Sequence, residues 1–131
     1  MHKPAMLDHF QNPRNAGELP APAVMVDVSN PACGDLLRLS LRVEEGRIAE
    51  ARFKSRGCVA SIACGSLLTE MIQGKTLAEA RRFKAFDVAA GIGGLPPESG
   101  HASVLAIDAL KAALKAVAKT VPDKVQPTAA S

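Results

Sequence analysis

The chain has no tryptophan and no tyrosine, and only four phenylalanines. Proteins that grip single-stranded nucleic acid use aromatic faces as stacking platforms, so this composition speaks against nucleic acid as a partner. No apolar run reaches the 18 or more residues that suggest a membrane-spanning helix. Pro4 and Asp8 interrupt the stretch where a secretory signal would need continuous apolar residues. A cytoplasmic protein with no membrane partner is the expectation. Excess charge is also small, since 16 Lys and Arg against 13 Asp and Glu leave a net charge of +3. Its most regular basic feature, Lys111, Lys115 and Lys119 at four-residue spacing, reads as the solvated face of a helix, with an acidic protein partner as the alternative. There are three cysteines, which cannot all pair within one chain and which a reducing compartment keeps as thiols. Reduced thiols serve as metal ligands, nucleophiles or core filler.

What the chain does have is aliphatic bulk. With 47% apolar residues, its core is built from Leu, Ile, Val, Ala and Met, and a chain of 131 residues can bury about two thirds of its unfolded surface without disulfides. Residues 6–11 read as a short helix, followed by a turn at Asn12-Pro13-Arg14-Asn15. Apolar and polar residues alternate over 24–28 and, more cleanly, through Leu37, Leu39, Leu41 and Val43, giving two strands. Glu44-Glu45-Gly46-Arg47 forms a short turn that forces residues 48–54 into a third, antiparallel strand. After Gly57 the period becomes helical, with Ala60, Cys64, Leu67, Leu68 and Met71 on one stripe and Gly74 as the cap. Thr76 and Glu79 mark a capping box, and 83–90 reads as a further short helix. A Gly- and Pro-rich loop through Leu95-Pro96-Pro97 follows. The last helix runs from Ala102, with Val104, Ile107, Leu110, Leu114, Val117 and Val121 expected to face the core.

Strands first and helices after predict an α+β fold, a three-stranded antiparallel sheet with helices on one face and a long C-terminal helix. One domain is expected over residues 1–121. Residues 122–131 lack apolar periodicity and are expected to form a disordered tail.

Four residues at the edges of these elements could do chemistry. Cys33 precedes a strand, Gly34 lets the backbone approach a ligand closely, and Asp35 turns to the same side in an extended segment. Cys58 follows Gly57 at a helix start, where unpaired N–H groups and the helix dipole favour a thiolate. His101 opens the last helix, where the same positive end leaves a neutral nitrogen free to coordinate. Each has an ordinary alternative: a buried thiol, a turn aspartate, a capping histidine. Cys64 lies about 240° round and about 9 Å along an unbroken helix from Cys58, so the two cannot readily share an ion. It sits on the apolar stripe and reads as a core thiol.

Leu7-Asp8-His9-Phe10-Gln11-Asn12-Pro13-Arg14-Asn15, Asn30-Pro31-Ala32-Cys33-Gly34-Asp35, Ala51-Arg52-Phe53-Lys54 with Gly57-Cys58, and Leu95-Pro96-Pro97 through His101 to Asp108-Ala109 closely resemble the IscU/NifU-type iron-sulfur cluster assembly scaffolds, in order, over residues 6–119. The resemblance implies a scaffold without enzymatic turnover that accepts iron and sulfur, holds a [2Fe-2S] cluster and passes it to apo iron-sulfur proteins, with a cysteine desulfurase as sulfur source. It implies Cys33, Asp35, Cys58 and His101 as the residues binding the cluster, iron or zinc. The third cysteine of that pattern is replaced by Ala102, and with it goes the residue associated with receiving sulfur. A homodimer bridged by the cluster would restore the missing thiolate. Scaffolds served by Hsp70-type chaperones resemble Leu-Pro-Pro-Val-Lys; Leu95-Pro96-Pro97-Glu98-Ser99 departs from this, so chaperone contact is a weaker implication than cluster binding.

Mixed sulfur, nitrogen and oxygen donors can close a tetrahedron around zinc, and one hard carboxylate on a soft cluster makes it labile. The alternatives are a zinc-dependent sulfur-transfer protein similar to the SufU branch and a degenerate adaptor that binds no metal.

Overall fold

The computed structural model describes residues 4–30, 34–96 and 99–120, with only the backbone of Thr120. Its elements are α1 (Pro4–Gln11), β1 (Val24–Asn30), β2 (Asp35–Glu44), β3 (Arg47–Arg56), α2 (Val59–Ile72), α3 (Leu77–Arg81), α4 (Ala85–Gly91) and α5 (His101–Thr120). The strands form one antiparallel sheet in the order β1-β2-β3. This is the α+β arrangement expected from the order of strand and helix signals. Val121 and the tail 122–131 lie outside the described residues, as do Cys33, Pro97 and Glu98.

The β2–β3 hairpin turns on Glu45 at φ +53° and Gly46 at φ +76°. Positive φ at both central residues matches the twist of the flanking strands. Alternation along β3 is irregular because the strand bulges. Arg42 pairs with Glu50 but Val43 pairs with Ile48, leaving Ala49 as the extra residue. Ile48 therefore faces the core together with Ala51 and Phe53.

The buried face of the sheet, Leu37, Leu39, Leu41, Ile48, Ala51 and Phe53, packs against α2 and α5. The opposite face carries Arg38 in ion pairs with Asp27 and Glu18, and Glu50 between Arg42 and Arg52. Helix α2 approaches the sheet closely at Gly65, where a Cβ would lie 2.7 Å from the Phe53 ring. More of α2 is buried than its apolar stripe suggested: Ser61, Ala63, Gly65, Ser66, Thr69 and Ile72 join Ala60, Cys64 and Leu68, while Leu67 and Met71 are only half-buried. Small and hydroxylated residues allow this, because α2 is covered by α1 on one side and by the sheet and α5 on others.

Two departures concern α5. It begins at His101, one residue earlier than expected. Val104, expected in the core, is 49% exposed and lines an open groove with Phe83, Ala85 and Ile107. The sheet and α2 close instead on the side bearing Ala102, Leu105, Ala106, Ala109 and Ala113, where alanines permit close approach. Ile107, Leu110, Leu114 and Val117 are buried as expected.

The short helices follow their caps. Thr76 accepts from the Glu79 N–H at 3.0 Å while Glu79 accepts from the Thr76 N–H at 2.9 Å, the reciprocal box read from the sequence. Helix α4 starts at Ala85 rather than 83, where Asp87 accepts from the Lys84 N–H at 2.8 Å. Helix α1 is pinned to α2 by a buried polar contact, His9 Nδ1 lying 2.7 Å from Ser66 Oγ, which also accepts from the Arg14 N–H. No described helix is long and apolar enough to cross a membrane.

Candidate metal centre

Three element ends meet at one end of the sheet. Asp35 is the first residue of β2, paired with Asn30 across a four-residue connection that ends in Gly34 at φ +77°. The Gly34 N–H donates to the Asn30 carbonyl at 2.7 Å. Beside it, Arg56 at the end of β3 pairs with Leu36. The chain then passes through Gly57 to Cys58, which takes the extended N-cap conformation of α2 with its side chain making no capping bond. His101 opens α5 at the same place.

The Asp35 carboxylate is the centre of the cluster. Its Oδ2 accepts from Ser61 Oγ at 2.5 Å and from Cys58 Sγ at 3.6 Å, and His101 Nε2 lies 3.1 Å from the same oxygen. One donor atom from each of Asp35, Cys58 and His101 falls within 4.8 Å of the others. Asp35 is 6% exposed, whereas Cys58 is open to solvent. Burial alone would raise the Asp35 pKa, but the bonds from Ser61, His101 and Cys58 outweigh it and hold the group below the usual carboxylate range. The site thus offers an anionic oxygen, an imidazole nitrogen and an accessible sulfur.

Gly57 is where it is because of the carboxylate. A Cβ on Gly57 would stand 2.6 Å from Asp35 Cγ and Oδ1, a distance no side chain tolerates. The backbone between β3 and α2 must be bare for β2 to present Asp35 there.

Of the four residues singled out from the sequence, three come together here. Cys33 lies outside the described residues, immediately before Gly34 in the chain. Cys64 does not join them: it is fully buried in α2, and burial pushes its thiol up to about 12. Ala102, beside His101, is buried in the core. Sequence reasoning missed Ser61. Its signal was present as a hydroxyl three residues after Cys58 at a helix start, a spacing that puts two side chains on one face.

Fold and site together define a small α+β domain with an oxygen, nitrogen and sulfur donor set gathered where a strand and two helices begin. The chain belongs to the family described as the NifU-like N terminal domain, which it matches over residues 1–122. It is 46% identical over 114 residues to the iron-sulfur cluster assembly scaffold protein IscU of Azotobacter vinelandii, covering 84% of this chain and 88% of that one. It is 43% identical over 114 residues to the scaffold protein IscU 1 of Archaeoglobus fulgidus, covering 87% of this chain and 74% of the relative. The crystal structure of a putative iron-sulfur cluster assembly scaffold protein for the SUF system from Fervidobacterium islandicum superposes with a TM-score of 0.74 at 20% identity, over 86% of this chain and 96% of that one. That likeness concerns the fold.

Proposed function

We propose that this protein is a scaffold on which an iron-sulfur cluster is assembled and from which it is passed to apo-proteins, with no enzymatic turnover of its own. The observation that carries this is the convergence of Asp35, Cys58 and His101 within 4.8 Å at one end of the sheet. Cys33, next to Gly34 in the chain, is assigned as the fourth donor. The donor set fits its cargo: two thiolates suit iron and sulfide, the imidazole suits iron or zinc, and the carboxylate is a hard ligand on a soft centre. A cluster so held is labile, which favours transfer over storage. It also suits iron before sulfide arrives.

Among the described residues Cys58 is the exposed thiol, Cys64 being enclosed. A cysteine desulfurase delivering sulfur would therefore find Cys58 within reach. The retained convergence of three donors favours a metal-holding protein over an adaptor with a decayed site. It also speaks for ligand function in spite of Ala102.

Anaerobic reconstitution with iron and sulfide tests the assignment. A coloured [2Fe-2S] species is expected, abolished by Cys33→Ala or Cys58→Ala and retained by Cys64→Ala. A colourless product in every preparation would overturn it. Tightly bound zinc with stimulation of a desulfurase and no cluster would replace it with zinc-dependent sulfur transfer.

A further inference from the structure

One polar group of the site is claimed by no ligand role, the hydroxyl of Ser61. We propose that Ser61 is a positioning residue: from the first turn of α2 it holds the Asp35 carboxylate in the orientation that meets a metal shared with Cys58 and His101. This deepens the scaffold assignment and rests on it.

Three groups crowd Asp35 Oδ2, namely Ser61 Oγ at 2.5 Å, His101 Nε2 at 3.1 Å and Cys58 Sγ at 3.6 Å. They are not equivalent. The sulfur is itself a donor atom for the ion, as is the imidazole nitrogen when the ring ligates through Nε2, and each then gives up its contact with the carboxylate as its lone pair turns to the metal. The Ser61 hydroxyl has no second task. Its hydrogen bond is the shortest of the three, is strengthened by the charge on the acceptor, and is the one able to persist from the empty to the loaded site.

Burial makes that bond hard to replace. Ser61 is 2% exposed, so bulk water does not compete for the carboxylate on its side. On the other side stands the bare backbone of Gly57, close enough that a Cβ would lie 2.6 Å from Asp35 Cγ and Oδ1. The carboxylate is thus bounded by Gly57 and tied by Ser61. The serine also lies 3.5 Å from Cys58 Sγ, but its one hydroxyl proton goes to Asp35. In a site where Ala102 supplies no thiol, the carboxylate is a larger share of the donor set, and its orientation matters correspondingly more. Hydrogen-bond partners standing behind a metal-binding group are typically worth about tenfold to hundredfold in metal affinity.

The test is the zinc affinity of the full chain, measured by competition with a chromophoric chelator, for wild type, S61A, D35A and the double variant. S61A is expected to weaken zinc by about tenfold to hundredfold. D35A is expected to weaken it as well, and adding S61A to D35A to cost nothing further, because the serine acts through the aspartate. An S61A protein that binds zinc like wild type, or a penalty undiminished once Asp35 is gone, overturns the proposal. S61T and S61V, equal in size, separate the hydroxyl from the fold: Thr is expected to stay near wild type and Val to behave like S61A, and equal losses in both would overturn it. D35A and C58A that both keep wild-type affinity would remove the site itself, a failure distinct from normal binding by S61A alone.

Discussion

Gly57 decides whether Asp35 can stand at the end of the sheet. Adding one methyl there places a carbon 2.6 Å from the carboxyl group, and the carboxylate cannot swing away without breaking its 2.5 Å bond to Ser61. Gly57→Ala is therefore expected to destabilise the chain by about 1–3 kcal/mol, the usual cost of overpacking, and to lower zinc affinity; denaturant unfolding and chelator competition measure the two. Cys64 makes the opposite case. With its thiol enclosed and pushed up to about 12, a Cys33→Ala/Cys58→Ala variant is expected to resist thiol reagents at neutral pH until denaturant is added. Rapid labelling of the native variant would show that Cys64 is reachable and reopen its exclusion as a ligand.

Among the elements, α1 has the most conditional attachment. His9 on α1 is held neutral against α2 in a buried contact: burial disfavours its charged form, Arg14 adds to this, and Glu70 and Asp8 oppose it, with the net effect of lowering its pKa from 6.5. The unfolded chain therefore takes up the proton before the folded one does. Stability from this group is fully present above pH 6.5 and is lost as pH falls from there through the lowered folded value. Denaturant midpoints are expected to drop from pH 7.5 to pH 5.5 in wild type and to drop less in His9→Gln; an equal drop in both would count against it. On α5, Val104→Lys is expected to change stability by less than about 0.5 kcal/mol, as surface substitutions do. Leu105→Lys, which would bury an unpaired charge, is expected to prevent folding, so the pair reads out which stripe of the helix meets the core.

At the scale of the molecule, β2, the 76/79 capping box and the glycine-capped α2 were legible because each depends on neighbours in sequence: period-two alternation, a three-residue reciprocal bond, a residue with positive φ. What escaped depends on partners distant in sequence. The 3–4 spacing that picked out Val104 counts apolar positions but does not say on which side the sheet and α2 close. Neither the bulge at Ala49 nor the closeness of Gly57 and Ser61 to Asp35 can be read before β2 and β3 are in register. Of the donor types singled out in the sequence, the structure brings together one thiol, the carboxylate and the imidazole at element ends, while Cys33 lies outside the described residues. The site's internal order, with Asp35 Oδ2 as the shared acceptor of Ser61, His101 and Cys58, was not legible, since a fold must exist before a buried hydroxyl can find its partner. The central claim concerns that same end of the sheet, and mass measurement of the anaerobically reconstituted chain under non-denaturing conditions, counting chains, iron and sulfide together, tests it most directly. The expected result is two irons and two sulfides on one chain or bridging two, lost in Cys58→Ala and in Asp35→Ala/His101→Ala and kept in Cys64→Ala. Equal iron and sulfide in all of these variants would contradict it.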